Sequence, residues 1–245
     1  MIPIENGIPR RSVPFLTWGL IAVNLTIFLY QQSLSGPALD RFLVHYALIP
    51  GRYLVTLPFL PEPTLTDYLP FVTNTFLHGS WLHLLLNMWT LYLFGPAIED
   101  RMGSGRYLIF YLVCGIAAST AHAYFNPASF EPALGASEAI AGVIGSFVQL
   151  FPFANLVVVL PILFFPLFFA VPAAFFAALW FAMQVVQGTA ELARPSMGGG
   201  IAWWAHIGGF LAGLLLGSLI ARSAEAYRKY YPDEGIYGFR LNGRR

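Results

Sequence analysis

Long apolar stretches dominate this chain and predict membrane-spanning helices. Five stretches contain no Asp, Glu, Lys or Arg other than Glu138: 12–39, 81–98, 107–130, 132–190 and 195–221. A spanning helix needs about 20 mostly apolar residues, so the 132–190 stretch is long enough for two. The runs are uninterrupted, unlike the alternating strands of a transmembrane barrel. The pattern therefore predicts six helices: 13–32, 81–100, 106–125, 136–153, 165–187 and 202–222.

Composition places the chain outside the soluble class. Of its 245 residues, 57% are hydrophobic and 10% are charged, and the mean hydropathy is +0.65. Soluble domains average about 25% charged residues. Only helices and closed barrels satisfy the backbone polar groups in hydrocarbon. The predicted fold class is therefore an all-α membrane protein, a bundle of six transmembrane helices.

The chain divides into an N-terminal segment (1–12), a membrane domain (13–222) and a basic tail (223–245). The first apolar stretch already has spanning length and no clear cleavage site follows it, so we expect it to be retained rather than removed as a signal peptide. The first loop, 33–80, is unusually long and rich in apolar residues. We expect it to lie on or dip into the membrane surface. Four prolines predict an irregular entry to the fifth helix: Pro152, Pro161, Pro166 and Pro172.

Basic residues predict the orientation in the membrane. Six helices put both termini on one side, and with the N-terminus inside, ten of the 13 Lys and Arg residues lie on the cytoplasmic side. The positive-inside rule favours that topology. We expect a multi-pass protein of a bacterial inner (plasma) membrane with both termini in the cytoplasm. We expect the lipid bilayer as a partner and no nucleic acid, because no basic cluster interleaves with aromatic residues apart from the short tail.

Four polar residues lie near the predicted outer ends of apolar helices. His83 and Asn87 are four positions apart on the second helix and share one face. Ser137 opens the fourth helix and His206 opens the sixth. A strongly polar residue inside a spanning helix is a functional candidate. All four lie at similar depth, which makes a common site possible.

Small residues predict which helices approach closely. Gly209, Gly213 and Gly217 follow His206 along one face of the sixth helix, and Ala141 and Gly145 follow Ser137 along one face of the fourth. Small residues at this spacing allow membrane helices to pack tightly. This packing brings His206 within reach of Ser137.

A serine beside a histidine base is the apparatus of nucleophilic acyl transfer. Asn87, His83 and the backbone N–H of Ser137 are candidate donors to the oxyanion that develops. No aspartate completes a triad, so the pattern favours a Ser–His dyad. We expect no metal or other cofactor, because no carboxylate or thiol ligand accompanies the histidines in matching helices.

The motifs resemble those of the rhomboid family of intramembrane serine proteases. The matching residues are His78, His83 and Asn87 in H-x-x-x-x-H-x-x-x-N, Gly135 and Ser137 in G-x-S-x, and Ala205, His206 and Gly209 in A-H-x-x-G. The resemblance spans roughly residues 14–222. It implies a six-helix rhomboid-like bundle, and an endopeptidase that cleaves single-span membrane proteins in or near their transmembrane segments.

The resemblance also implies roles for individual residues. Ser137 is the expected nucleophile and His206 the general base, with His83, Asn87 and the Ser137 amide as the oxyanion hole. A structural role is implied for His78, Gly135 and Gly209 near the site, and for Glu99 at the second-to-third helix turn. The fifth helix is the expected lateral gate for substrate, although its apolar face is equally consistent with ordinary lipid contact.

Glu138 departs from the family pattern, in which glycine follows the serine. Our preferred interpretation is a solvated carboxylate in the first helical turn, where the helix dipole favours negative charge. Two alternatives stay open: a contact with His206 as a third catalytic member, or repulsion of the oxyanion that weakens the enzyme. Replacement of Glu138 by Gly distinguishes them.

Two rival functions remain at the level of sequence. One is a catalytically weak or silent rhomboid-like protein that binds client transmembrane helices. The other is a small transporter that uses His83 and His206 as a proton relay, which the lack of an internal repeat disfavours.

Overall fold

A computed structural model of the chain describes residues 1–9, 11–55, 64–162, 165–193 and 202–222. The basic tail predicted at 223–245 lies outside these residues. Within them the helices are α1 (Phe15–Ser33), α2 (Gly36–Tyr46), α3 (Gly51–Leu54), α4 (Pro70–Thr73), α5 (Trp81–Met102), α6 (Ser104–Phe125), α7 (Ser137–Leu150), α8 (Ala173–Ala193) and α9 (Trp203–Ile220). The strands are β1 (Ile2–Glu5), β2 (Asn155–Ile162) and β3 (Phe165–Pro172).

Each of the six predicted spans corresponds to a helix of the structure, but not every one of these helices is long and apolar enough to cross a membrane. Among the described residues, three helices are long and apolar enough to cross a membrane, namely α6, α8 and α9. Helix α7 is apolar but has only 14 residues. The protein is therefore a mostly helical integral membrane protein, and the full count of six spans stays a prediction.

The prediction of an all-α fold was wrong between the fourth and fifth helices. Strands β2 and β3 pair antiparallel, and β1 adds a third strand in the order β1–β2–β3. Helix α8 begins at Ala173 rather than at 165, directly after Pro172. Valines, phenylalanines and prolines fill this segment, and β-branched and aromatic residues favour strands. Apolarity alone does not separate a buried strand from a buried helix, so the apolar run is compatible with both.

The sheet packs against the side of α5. Trp89 donates its indole N–H to the carbonyl of Pro3 (2.9 Å), and the Asn6 amide donates to the carbonyl of Leu93 (2.5 Å). Leu156 and Val158 of β2 are buried in the core formed mainly by α5, α6 and α7. The sheet therefore covers one side of the bundle.

Helices α7 and α9 are in backbone contact, as the small residues predict. A Cβ placed on Gly213 would overlap the carbonyl of Gly142, and one on Gly209 would overlap the carbonyl of Glu138. A Cβ on Gly145 would overlap the carbonyl of Phe210. The small residues of α7 that contact α9 are thus Gly142 and Gly145, rather than the predicted Ala141 and Gly145. The contact face of α7 is rotated by one residue from the predicted face.

The long first loop is tied to the end of the bundle at which α5, α7 and α9 begin. Leu48 and Ala133 exchange two backbone hydrogen bonds of 3.0 and 2.8 Å. The backbone N–H of Gly135 donates to the carbonyl of Asn74 at 3.0 Å. These bonds anchor the segment that leads into Ser137. Helix α2 buries none of its residues against the bundle, consistent with a segment on the membrane surface.

Glu99 holds α1 in place at the opposite end of the bundle. Its buried carboxylate accepts hydrogen bonds from the backbone N–H groups of Leu16 and Thr17 (2.9 and 2.8 Å) and from the hydroxyls of Thr17 and Ser104 (both 2.7 Å). The first N–H groups of a helix have no intrahelical acceptor, and a carboxylate there also complements the helix dipole. This geometry fits the structural role that the family resemblance implies.

Candidate active site

Ser137 and His206 meet between the first turns of α7 and α9. Ser137 Oγ lies 2.8 Å from His206 Nε2, a hydrogen-bond distance for a hydroxyl and an imidazole. Both residues are partly exposed, whereas Glu138 and Ala205, their neighbours in the chain, are buried. The backbone contact of α7 with α9 below them sets this distance. The arrangement is that of a hydroxyl nucleophile with its base.

The second nitrogen of His206 meets a residue that sequence reasoning missed. Gln184 of α8 places Oε1 at 2.8 Å from His206 Nδ1, and its side chain is buried. The available signal was a glutamine within an apolar helix, which is itself a candidate for function. The bulky apolar residues around it predict lipid contact or a substrate gate for this helix, and they mask the signal of one glutamine.

Gly135 borders a space shared by His83 and Ser137. A Cβ built on Gly135 would lie 3.0 Å from His83 Nε2 and 3.2 Å from Ser137 Oγ. That position is therefore a point about 3 Å from both the nucleophile and a candidate oxyanion donor, where a reacting atom could sit. Gly135 also has φ of +148°, which residues with a side chain rarely adopt. Glycine at 135 thus keeps the space open.

Asn87 and the Ser137 backbone supply further donors. Asn87 is buried on α5, and its Nδ2 has no hydrogen-bond partner among the described residues. A buried donor without a partner is unfavourable unless a ligand or water meets it. Ser137 is the first residue of α7, so its N–H also has no intrahelical acceptor. Both groups are therefore available to an oxyanion.

His78 lies beside the site rather than in it. Its backbone carbonyl accepts from the Gln31 amide (3.2 Å), and its backbone N–H donates to Gln31 Oε1 (3.1 Å), which joins the loop before α5 to α1. Its ring centroid is 5.1 Å from that of His83. Burial lowers the pKa of His78 to about 3, so the ring is neutral. These contacts fit the structural role that the family resemblance implies.

The prediction of a solvated Glu138 was wrong. The side chain is 1% exposed, and Oε2 accepts hydrogen bonds of 3.0 Å from Asn74 Nδ2 and from Ser119 Oγ. The side chain leaves α7 about 100° round the helix from Ser137, toward α6 and the first loop, where these protein groups cover it in place of water. Among the described residues these two are its partners in place of His206, so the alternative of a third catalytic member is not supported.

Within the described residues, no group of three or more His, Cys, Asp or Glu side chains is placed to hold a metal ion. The groups that do converge are a hydroxyl, an imidazole with its own acceptor, and a set of N–H donors. Such a set can attack a carbonyl and stabilise the resulting oxyanion.

Comparison with known proteins finds one family and several relatives. Residues 66–223, more than half of the chain, match the Rhomboid domain. Over 218 residues (87% of its length), this chain is 28% identical to Rhomboid protein 1, mitochondrial, of Saccharomyces cerevisiae, and it covers 56% of that protein. Over 149 residues (59%) it is 31% identical to Presenilin-associated rhomboid-like protein A, mitochondrial, of Danio rerio, and covers 35% of it.

A third relative is Rhomboid protease GluP of Bacillus subtilis. Over 142 residues (58% of its length), this chain is 40% identical to that protein and covers 26% of it. The chain therefore spans between about a quarter and a little over half of the length of these relatives.

Proposed function

This chain belongs to the rhomboid family, and on that premise we propose that it is an intramembrane serine endopeptidase that cleaves single-span membrane proteins. The observation that carries the proposal is the 2.8 Å contact between Ser137 Oγ and His206 Nε2. A hydroxyl is a poor nucleophile until a base accepts its proton, and this contact aligns the two groups for that transfer. The name of a relative, a rhomboid protease of Bacillus subtilis, agrees with the proposal.

The proposed reaction proceeds through an acyl-enzyme. His206 Nε2 accepts the proton of Ser137 as Oγ attacks the scissile carbonyl carbon, and the carbonyl electrons move onto oxygen. His83, Asn87 and the Ser137 N–H donate hydrogen bonds to that oxyanion, each worth about 3 kcal/mol in the transition state. The protonated His206 then donates to the leaving amine, and the C–N bond breaks. Water, deprotonated by His206, hydrolyses the ester and restores Ser137.

The proposed setting is the bilayer. In this proposal six helices span the bilayer, namely α1, α5, α6, α7, α8 and α9. Both termini face the cytoplasm, and substrate enters from lipid past α8. The basic residues at the predicted inner ends of the helices support this topology. We retain a bacterial plasma membrane as the proposed location, although two of the relatives described above are named as mitochondrial.

Cleavage in reconstituted vesicles tests the proposal. The full chain is mixed with a panel of single-span substrates, and the wild type is compared with Ser137→Ala and His206→Ala. Ser146→Ala is the matched control, because Ser146 is a buried serine further along α7. We expect cleavage by the wild type and by Ser146→Ala, and at least a 1000-fold loss in the other two variants.

Cleavage that persists in Ser137→Ala would overturn the mechanism. If the wild type cleaves no substrate yet retains single-span segments as firmly as Ser137→Ala does, the protein is instead a silent binder of client helices.

A further inference from the structure

Gln184 gives the proposed base a partner on a different helix. Its side chain is 3% exposed on α8, and its Oε1 lies 2.8 Å from His206 Nδ1 on α9. We propose that Gln184 is a positioning residue that holds His206 in the tautomer and ring orientation required by Ser137. The inference rests on the proposed protease function and deepens it, since a dyad by itself leaves the orientation of the base unspecified.

The hydrogen bonds of Gln184 determine which way its amide points. Its Nε2 donates to the backbone carbonyl of Trp180, one turn earlier on α8, at 3.3 Å. The flipped amide would direct Oε1 at that carbonyl, placing two acceptors against each other. The orientation with Oε1 toward His206 satisfies both ends of the amide.

This orientation selects the tautomer of His206. The amide oxygen only accepts, so the proton of the neutral imidazole must lie on Nδ1. Nε2 then carries the lone pair, and it faces the Ser137 hydroxyl at 2.8 Å. The opposite tautomer would direct an N–H at the hydroxyl and leave the base without a lone pair for the proton. In histidine sites, the hydrogen bond of one nitrogen sets the role of the other.

The same bond fixes the rotation of the ring. A half-turn about the Cβ–Cγ bond would exchange Nδ1 with a carbon and break the contact with Gln184. Trp180 and Trp203 lie beside the ring, with centroids 6.0 and 6.3 Å from that of His206. They bound the space for the imidazole, but neither indole contact distinguishes one edge of the ring from the other. Gln184 makes that distinction, and it does so only while α8 is seated against α9.

The test compares three variants on α8. Gln184→Leu keeps the approximate size but removes the acceptor, while Gln184→Glu keeps an acceptor at the same reach. Gln187→Leu is the matched control, because Gln187 is an exposed glutamine on the same helix. The measurements are kcat and KM in reconstituted vesicles, and the ¹⁵N NMR shifts of the His206 ring in the full chain.

We expect Gln184→Leu to lower kcat by about tenfold or more with KM nearly unchanged, as with other residues that orient a functional histidine. Its ¹⁵N spectrum should lose the Nδ1–H tautomer that the wild type shows. Gln184→Glu should retain that tautomer and recover most of kcat, and Gln187→Leu should match the wild type.

The inference is overturned if Gln184→Leu keeps the wild-type tautomer and kcat while Ser137→Ala is inactive. It is equally overturned if Gln184→Leu and Gln184→Glu lower the activity to the same extent and also lower the melting temperature to the same extent. That result would mean that Gln184 acts through packing. Failure of the proposed function is a separate result, namely cleavage by Ser137→Ala, and the NMR measurement does not depend on cleavage.

Discussion

At the scale of single residues, the site combines groups that the sequence identifies with groups that it does not. Ser137, His206, His83 and Asn87 stand out because each is polar within an apolar helix. Gln184 meets the same criterion, but nothing in a linear pattern says that its face of α8 turns toward α9. The burial of Glu138 also depends on what covers α7, which spacing along one helix does not reveal.

Gly135→Ala should lower cleavage strongly, because the methyl group fills the space beside Ser137 and because φ of +148° strains any residue with a side chain. The new methyl would lie 2.9 Å from His83 Cε1 and 3.2 Å from Ser137 Oγ, in the space where a substrate carbonyl would bind. We expect at least a 100-fold loss of kcat/KM, equivalent to about 2.7 kcal/mol. Gly105→Ala is the control, because a Cβ there meets nothing within 4 Å. Wild-type turnover by Gly135→Ala would show that this space is not the substrate site.

Glu138→Ala should destabilise the fold. The substitution leaves the amide of Asn74 and the hydroxyl of Ser119 without their carboxylate acceptor in a buried site. Loss of a buried partner costs about 1–3 kcal/mol of unfolding free energy. Unfolding in detergent with increasing denaturant measures it, with the exposed Glu131→Ala as control. Equal stability of the two variants would contradict the structural role of Glu138.

At the scale of elements, helix positions follow from apolar runs, whereas helix ends and the paired strands β2 and β3 do not. The centres of α1, α5, α6, α7 and α9 all fall within predicted spans. The segment 155–172 is as apolar as the helices beside it, so the available signals were its Val and Phe residues, which favour strands, and its prolines, which disfavour a helix. Strand β2 also pairs with β1, about 150 residues earlier in the chain. This long-range pairing supplies backbone hydrogen bonds to β2 that no local pattern reveals.

The glycine contact between α7 and α9 should be sensitive to a single methyl group. Gly213→Ala would place Cβ against the backbone of Gly142, where no side chain can move aside. We expect a loss of about 1–3 kcal/mol in unfolding free energy, and reduced cleavage as Ser137 and His206 separate.

The control for this contact is Gly19→Ala on α1, where a Cβ meets nothing within 4 Å. Alanine is favoured over glycine inside a helix, so this control should be neutral or slightly more stable. If the two alanine variants have equal stability, the helices do not depend on the close contact.

At the scale of the whole molecule, composition is sufficient to predict an integral membrane protein, and the motifs are sufficient to identify the rhomboid family. Hydropathy and length select three spans among the described residues: polar residues of the site lower the apolarity of α5, and α7 has only 14 residues. The features that equip a rhomboid-type site therefore weaken the signal by which its helices are recognised.

Covalent labelling of the nucleophile tests the central claim most directly. A fluorophosphonate reacts with a serine Oγ that a base has activated, and mass spectrometry of the labelled full chain locates the adduct. The account predicts one adduct on Ser137 in the wild type, none there in His206→Ala, and none on Ser146 in either protein. An unlabelled Ser137 in a folded wild type, or equal labelling without His206, would contradict a Ser137–His206 protease.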